Sequence, residues 1–207
     1  MLPFHHLPAT GSLRASVILL HGYAASAKVQ HNDGLAFCSE DVEVVMPDAP
    51  GHGDRADGRL ERIAELPDDE RRAAIHAIAR EWLNELPEWA AHGRQRGASR
   101  VAVVGISMGG FAALGAVTQH GIWDAVAAVL AEPVLVDTQA VVAGKPPLLL
   151  GLAGRDAAVA AEPGRQFARD YGAELREYPE SEHFMRSDDW GDLWGRVAAF
   201  VHRHLGC

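Results

Sequence analysis

The sequence predicts an α/β fold organised around a parallel β-sheet. Its short strand-like runs are almost entirely apolar instead of alternating with polar residues, which is typical of strands covered on both faces. Segments with a helical spacing of apolar residues separate these runs, and this alternation favours right-handed crossovers between parallel strands. The predicted strands occupy residues 17–21, 42–47, 100–105, 125–131, 148–153 and 175–179.

The first long helix is predicted over residues 69–93. Apolar residues recur there at spacings of three and four, which places them on one stripe facing the sheet. The residues of this stripe are Ile75, Ile78, Trp82, Leu86 and Trp89. Proline lacks the amide hydrogen that a helix interior needs, so we expect Pro87 to kink or restart this helix.

Two further helices are predicted by the same pattern. Residues 108–120 are rich in Gly and Ala and apolar nearly all round, which predicts a central helix packed tightly beneath neighbouring strands. Residues 188–205 form the last helix, whose apolar stripe is made by Trp190, Trp194, Val197 and Val201. We assign the tryptophans on these helical stripes to the core rather than to a binding surface.

Chain length and net charge limit the number of domains and the kinds of binding partner. The chain has 207 residues, 48% of them hydrophobic, which is enough for one sizeable core and predicts one domain over residues 1–207. Nineteen basic residues against twenty-eight acidic ones give a formal net charge of -9, and the longest basic run is the pair Arg71 and Arg72. Such a chain is poorly suited to phosphate backbones or anionic membranes, so we expect neither nucleic acid nor a membrane as a partner.

The sequence also predicts a cytoplasmic location. Its apolar runs are too short to span a bilayer, and the stretch MLPFHHLPATG lacks the basic and apolar regions of a secretion signal. Cys38 and Cys207 are two cysteines, too few for a disulfide framework or a CxxC metal site. A reducing compartment fits this usage.

The strongest chemical signal is the segment Gly105-Ile106-Ser107-Met108-Gly109, which lies between a predicted strand and a predicted helix. A turn this sharp leaves no room for side chains two positions either side of the serine, which explains the glycines. The turn lifts the Ser107 hydroxyl clear of the sheet, at a helix N-terminus that favours developing negative charge. We predict that Ser107 is a nucleophile; the alternative is a merely structural glycine-rich turn.

This segment resembles the nucleophile elbow of the α/β-hydrolase family, and other motifs extend the resemblance over nearly the whole chain. His21-Gly22-Tyr23, at the end of the first apolar strand, resembles the family's HGxxxS loop. In that family the residue after HG and the residue after the nucleophile offer backbone N–H groups to the oxyanion. The resemblance therefore implies an oxyanion hole formed by Tyr23 and Met108, against the alternative of a plain strand-to-turn HG pair.

A second family marker is the turn Asp48-Ala49-Pro50-Gly51-His52-Gly53, which is similar to the DxPGHG turn after the family's fourth strand. The resemblance implies that His52 is a structural or rim residue rather than the catalytic base. A serine often follows this turn in the family, whereas Asp54 and Arg55 follow it here. This difference leaves a substrate contact from the loop unsupported.

The acid is expected after the nucleophile in the chain and before the histidine. Asp156 follows the predicted strand 148–153, in a loop that resembles the family's acid-bearing loop after its seventh strand. A carboxylate there accepts the histidine Nδ1–H and stabilises the imidazolium. The competing acids are Glu132, directly after strand 125–131, and Asp137; otherwise Asp156 is an ordinary loop or N-cap residue.

The base is predicted to be His183, because it stands between the last strand and the last helix, the position of the family's catalytic histidine. The alternative is an exposed loop histidine. The pairs His5 with His6 and His202 with His204 lack the i,i+4 spacing of a helical metal site, so no metal is predicted. Ser107, Asp156 and His183 each follow a predicted parallel strand, where open α/β sheets gather their sites.

The resemblance implies a three-layer α/β/α sandwich with a mostly parallel, trimmed sheet of about seven strands. Only about sixteen residues, 132–147, separate two strands where the family inserts its caps, so no large cap is expected. Residues 55–70 are polar and either form a short helix over the site or a solvated face; the solvated face is favoured. The missing lid argues against an interfacially activated lipase.

Together these features predict a serine hydrolase that cleaves small soluble carboxylic esters through an acyl-enzyme. The predicted partner is a small-molecule ester or thioester substrate, no cofactor is expected, and the chain is expected to be a monomer or homodimer. The compact outline resembles the small carboxylesterase and dienelactone hydrolase branch, but dienelactone hydrolases use a cysteine where Ser107 stands. One alternative is a thioesterase, acyltransferase or small peptidase on the same triad. Another is a non-catalytic binding protein with the hydrolase fold.

Overall fold

The computed structural model describes residues 2–137 and 144–207. Within this part of the chain, seven strands form one sheet in the order β1-β3-β2-β4-β5-β6-β7. β1 pairs antiparallel with β3, and every other neighbouring pair is parallel. The strands are β1 Phe4–Leu7, β2 Ala15–Leu20, β3 Val42–Pro47, β4 Arg100–Ile106, β5 Ala125–Val129, β6 Leu148–Ala153 and β7 Glu174–Tyr178.

Helices cover both faces of this sheet. They are α1 His31–Gly34, α2 Arg59–Ala64, α3 Asp68–Gln95, α4 Met108–Gly115, α5 Ala161–Tyr171 and α6 Ser187–Leu205. One apolar core joins the sheet to α3, α4 and α5, and a second joins its other face to α6. The three-layer, mostly parallel sheet of seven strands is the predicted fold class, which is thereby confirmed, and the described residues contain no large cap.

Burial on both faces explains the uninterrupted apolar strands. In β2, Ile18 and Leu20 belong to the core beneath α3 and α4, whereas Val17 and Leu19 belong to the core beneath α6. All four side chains are fully buried because successive strand residues point to opposite faces and both faces are covered. The apolar pattern from which the parallel sheet was predicted therefore has this physical origin.

Helix α3 does not restart at Pro87, which excludes one of the two expected effects of this proline: the helix runs unbroken from Asp68 to Gln95. Proline at this position deprives the Leu83 carbonyl of its backbone donor. The side-chain amide of Gln119 donates to that carbonyl at 2.9 Å and replaces the missing hydrogen bond. Gln119 in turn accepts a hydrogen bond from the Trp123 indole N–H at 3.0 Å. A side chain from outside α3 therefore supplies the donor that Pro87 cannot give to the Leu83 carbonyl.

Other element boundaries also differ from the predictions. β5 ends at Val129, two residues early, because Leu130 has φ 54° and cannot continue a strand. α4 ends at Gly115 and continues as a single 3₁₀ turn to Thr118, whose hydroxyl donates to the Gly115 carbonyl at 2.8 Å. No helix was predicted at α5, although its buried residues face the same core as those of α3.

The segment 55–70 forms a helix and is not only a solvated face. Its α2 buries Ile63 against the core, while most of its other side chains are exposed. Among its residues only Asp68 reaches the cleft described below. In the described ranges no helix is long and apolar enough to cross a membrane.

Candidate active site

The three predicted site residues meet at the carboxyl edge of the sheet. Ser107 follows β4, Asp156 follows β6 and His183 follows β7. The strands run parallel, so their carboxyl ends lie side by side and the loops that follow them converge. Residues separated by 49 and 27 positions in the chain become direct neighbours in this way.

The turn at Ser107 has the strained geometry of a nucleophile elbow. Ser107 has φ 53° and ψ -116°, which few residues other than glycine adopt. A Cβ on Gly105 would lie 2.1 Å from the Gly109 carbonyl oxygen, and a Cβ on Gly109 would lie 2.5 Å from the Leu20 carbonyl oxygen. Both contacts are with backbone, so only glycine fits at these two positions.

Ser107, His183 and Asp156 form a continuous hydrogen-bonded chain. His183 Nδ1 lies 2.6 Å from Asp156 Oδ2, and a carboxylate can only accept, so the proton is on Nδ1. Nε2 is then an acceptor, and the Ser107 hydroxyl donates to it at 3.1 Å. The arrangement can take a proton from the serine as its oxygen attacks an electrophile.

Hydrogen bonds to the second carboxylate oxygen of Asp156 fix its side chain. Oδ1 accepts the N–H groups of Ala158 and Val159, both at 2.8 Å, which leaves Oδ2 for His183. The Asp156 side chain is 1% exposed whereas the His183 side chain is 20% exposed. The carboxylate is therefore shielded from water, and the imidazole above it stays accessible from the cleft.

Glu132 makes a different contact. It is buried, with Oε1 3.4 Å from Arg72 Nη1. Asp137 lies in the loop beyond Glu132. Asp156 is the carboxylate whose Oδ2 lies within hydrogen-bond distance of His183.

The two N–H groups predicted for the oxyanion hole flank Ser107. Met108 begins α4 directly after the serine, and a Cβ on Gly22, next to Tyr23, would lie 3.7 Å from Ser107 Cβ. Within the described chain neither the Tyr23 nor the Met108 N–H donates a hydrogen bond to another group. Both donors are thus available to an oxygen that develops charge beside Ser107.

Two buried histidines fix the loop that carries Tyr23. His21 Nε2 accepts from the Ala49 N–H at 3.0 Å, and its Nδ1 donates to the Gly22 carbonyl at 2.8 Å. Burial lowers the pKa of His21 to about 4, so the ring is neutral at neutral pH. His21 is therefore a structural residue that joins the Tyr23 loop to the turn after β3.

His52 also joins the Tyr23 loop to the turn after β3. Its Nε2 accepts from the Ala24 N–H at 3.2 Å, and its Nδ1 donates to the Pro50 carbonyl at 3.0 Å. Burial lowers its pKa as well. Asp48, also buried, accepts from the Ala27 N–H at 2.8 Å. These contacts were not predicted from the sequence, although the HG and DxPGHG motifs contain all three residues.

A cleft of about 770 Å³ opens above Ser107 and His183. Its apolar wall includes Ile75, Phe111 and Val159, and Tyr23 also lines it. Phe184, beside His183 in the chain, is 94% exposed and stands at its mouth. Over residues 2–137 and 144–207, no three His, Cys, Asp or Glu side chains are placed to share a metal ion.

Comparisons with known proteins identify the family of the chain. A sequence profile described as the alpha/beta hydrolase family matches residues 17–206. Esterase YjfP of Escherichia coli (strain K12) is 33% identical over 112 residues, which are 50% of this chain and 40% of that protein. The chain thus aligns with well under half the length of this curated relative.

Solved structures show the same fold along nearly the entire chain. Esterase PE8 superposes with a TM-score of 0.71 at 23% identity, covering 98% of both chains. Est1E from Butyrivibrio proteoclasticus, solved with ferulic acid bound, superposes with a TM-score of 0.72 at 15% identity, covering 99% of this chain and 96% of that one. With the elbow geometry, the sheet order and the profile match over residues 17–206 in agreement, the chain belongs to the alpha/beta hydrolase family.

Proposed function

We propose that the protein is a serine hydrolase that cleaves small carboxylic esters through an acyl-enzyme intermediate. The observation that carries the proposal is the hydrogen-bonded chain from Ser107 through His183 to Asp156, with distances of 3.1 and 2.6 Å. Such a chain activates an otherwise weak serine nucleophile. It opens onto a cleft large enough for a small ester.

Acylation begins when the Ser107 oxygen attacks the acyl carbonyl carbon while its proton passes to His183 Nε2. The carbonyl oxygen becomes negatively charged and accepts the N–H groups of Tyr23 and Met108. Removing one such donor typically costs about 10²- to 10³-fold in rate. As the tetrahedral intermediate collapses, the bond to the leaving oxygen breaks and His183 returns its proton to the departing alcohol.

Deacylation repeats these steps with water. His183 takes a proton from the water as its oxygen attacks the acyl carbonyl, and then returns the proton to Ser107 Oγ as the ester bond to the enzyme breaks. Asp156 keeps the ring oriented and stabilises the imidazolium in both halves without itself gaining a proton. The reaction is balanced by water alone, so these steps need no metal or cofactor.

The proposed substrate class is supported by the shape of the site and by its relatives. The described chain carries no large cap above the cleft, so small substrates enter without lid opening. Two relatives are named esterases, and a third is solved with ferulic acid bound. We also propose a cytoplasmic protein of one domain, acting as monomer or homodimer on small molecules.

The test is hydrolysis of matched substrates: p-nitrophenyl acetate, butyrate and octanoate beside the corresponding thioesters and anilides, with Ser107→Ala as the matched inactive control. We expect turnover of short esters at a kcat/KM at least tenfold above that of the thioesters and anilides. A ranking led by thioesters or anilides would assign the chain to the thioesterase or peptidase alternative. No turnover above Ser107→Ala for any substrate would favour a non-catalytic binding protein.

A further inference from the structure

Arg72, on α3, is bonded directly to the loop that carries Asp156. Its Nη2 donates to the Ala158 carbonyl at 2.8 Å, across 86 positions of the chain. Its Nη1 lies 3.4 Å from Oε1 of Glu132, whose side chain is only 10% exposed. The guanidinium therefore bridges a largely buried carboxylate and the acid loop.

The contact with Ala158 reaches Asp156 through one shared peptide group. The Ala158 carbonyl and the Val159 N–H belong to the same peptide unit, and this N–H donates to Asp156 Oδ1 at 2.8 Å. Hydrogen bonds on the two ends of a peptide polarise one another, so a cation on the carbonyl strengthens the N–H as a donor. The positive charge of Arg72 is thereby coupled to the Asp156 carboxylate, which faces His183.

We propose that Arg72 is a positioning residue, which holds the Asp156 loop in register with His183 and tunes the Asp156–His183 hydrogen bond. The proposal rests on the proposed hydrolase function. Arg72 forms no bond with substrate in this role: it acts through the Ala158–Val159 peptide, and Glu132 orients it from the other side. From its sequence position Glu132 was a competing candidate for the catalytic acid; in this proposal it orients Arg72 instead.

The charged and titratable groups around Arg72 point to the same assignment. Arg71 donates to the Leu66 carbonyl and pairs with Asp68, away from the acid loop. His76, one turn further along α3, packs edge-on against Phe111 at 5.1 Å. Burial, and then the charges of Arg72 and Arg80, lower the pKa of His76.

The experiment compares Arg72→Met, which removes the charge and the donors, with Arg72→Lys, which keeps a charge and a single donor nitrogen. Arg80→Met is the matched control, because Arg80 is exposed about two turns further along the same helix and lies outside the cleft. For each variant we would measure kcat and KM on p-nitrophenyl acetate, the thermal midpoint, and the low-field proton resonance of His183 Nδ1. This resonance is assigned by its loss in His183→Ala.

We expect Arg72→Met to lower kcat about tenfold, the loss typical of a hydrogen bond from a charged donor, with KM changed less than about twofold. Its Nδ1 resonance moves from the wild-type position, because a weaker Val159 donor changes the strength of Asp156 as the acceptor of that proton. Arg72→Lys recovers part of kcat and returns the resonance toward wild type. Arg80→Met leaves both quantities at their wild-type values.

An unchanged kcat in Arg72→Met overturns the proposal. A lower thermal midpoint with an unmoved Nδ1 resonance also overturns it, because Arg72 then serves only the stability of the loop. An equal loss of kcat in Arg80→Met would show that the effect comes from the overall charge of the protein, and it would also overturn the proposal. The proton resonance is read without substrate, so a failure of the proposed ester hydrolysis is distinguished from a failure of the Arg72 assignment.

Discussion

The amide of Gly109 donates a hydrogen bond to the carbonyl of His21 at 3.1 Å. This bond joins the turn that presents Ser107 to the loop that carries Tyr23, so the nucleophile and one oxyanion donor belong to one rigid backbone unit. The contact requires close approach, and a Cβ on Gly109 would lie 2.5 Å from the Leu20 carbonyl oxygen. The pairing of a GxSxG turn with an HG loop thus has a direct steric basis.

Replacement of Gly109 by alanine is expected to destabilise the fold by about 3 kcal/mol, because the new methyl group meets backbone that cannot move aside. Gly195→Ala is the control: Gly195 lies on the exposed side of α6 with nothing within 4 Å of its Cβ position. There the change is expected to stabilise by about 0.5–1 kcal/mol through helix propensity. Urea unfolding of both variants measures the contrast, and equal effects would contradict the steric account.

The contact between Gln119 and Leu83 predicts a coupling to Pro87. Gln119→Met removes the donor of the Leu83 carbonyl and the acceptor of the Trp123 N–H, which is expected to cost about 2 kcal/mol of stability. In a Pro87→Ala background, the new backbone N–H bonds the Leu83 carbonyl and the cost falls to about 1 kcal/mol. A double-mutant cycle by denaturant unfolding gives this coupling energy. A coupling of zero would mean that Gln119 does not compensate for the proline.

The buried neutral His21 predicts a loss of stability in mild acid. Its pKa is about 4 in the folded protein, below the ordinary value of 6.5, so the unfolded chain binds more protons between these limits. Stability contributed by His21 is complete above about pH 6.5 and declines by up to about 3 kcal/mol as the pH falls to about 4. The check is a proton NMR titration, in which the His21 ring signals stay constant down to about pH 5. A midpoint near 6.5 would contradict the assignment.

Asp156→Asn is expected to lower kcat by about 10⁴-fold with little change in KM, because an amide cannot hold His183 in the required tautomer. Glu132→Gln is the matched comparison, since the Glu132 carboxylate contacts Arg72, at 3.4 Å from Nη1. We expect it to lower kcat by less than about tenfold, the order of one weakened polar contact. Steady-state kinetics on one short ester ranks the two variants, and a larger loss in Glu132→Gln would reverse the assignment of the acid.

The predictable parts of the fold were those that depend on local pattern. Continuous apolar strands required cover on both faces, and the glycines at 105 and 109 required a close backbone approach, so the sheet class and the elbow followed from the sequence. What the pattern missed depends on contacts between distant segments. Pro87 stays within one helix because Gln119 supplies a donor from another element, and β5 stops early because Leu130 takes a positive φ.

In the candidate site, too, some features were predictable from the sequence and others depend on contacts between distant segments. Sequence motifs located Ser107, Asp156 and His183, because each follows a strand whose carboxyl end must face the same edge of the sheet. The hydrogen-bond partners of His21, His52 and Arg72 were not predictable from spacing. Each depends on which backbone group lies opposite its side chain, and Arg72 meets Ala158 only after the chain has folded.

The most direct test of the account is covalent labelling of Ser107 by a fluorophosphonate. Intact mass would be recorded after brief treatment of the wild-type protein, Ser107→Ala and His183→Ala, with circular dichroism to show that all three are folded. The account predicts one added probe on the wild type, located at Ser107 by peptide mapping, and none on either variant. A folded wild-type protein that takes up no probe, or that is labelled at another residue, would contradict the proposal that Ser107, His183 and Asp156 act as a catalytic unit.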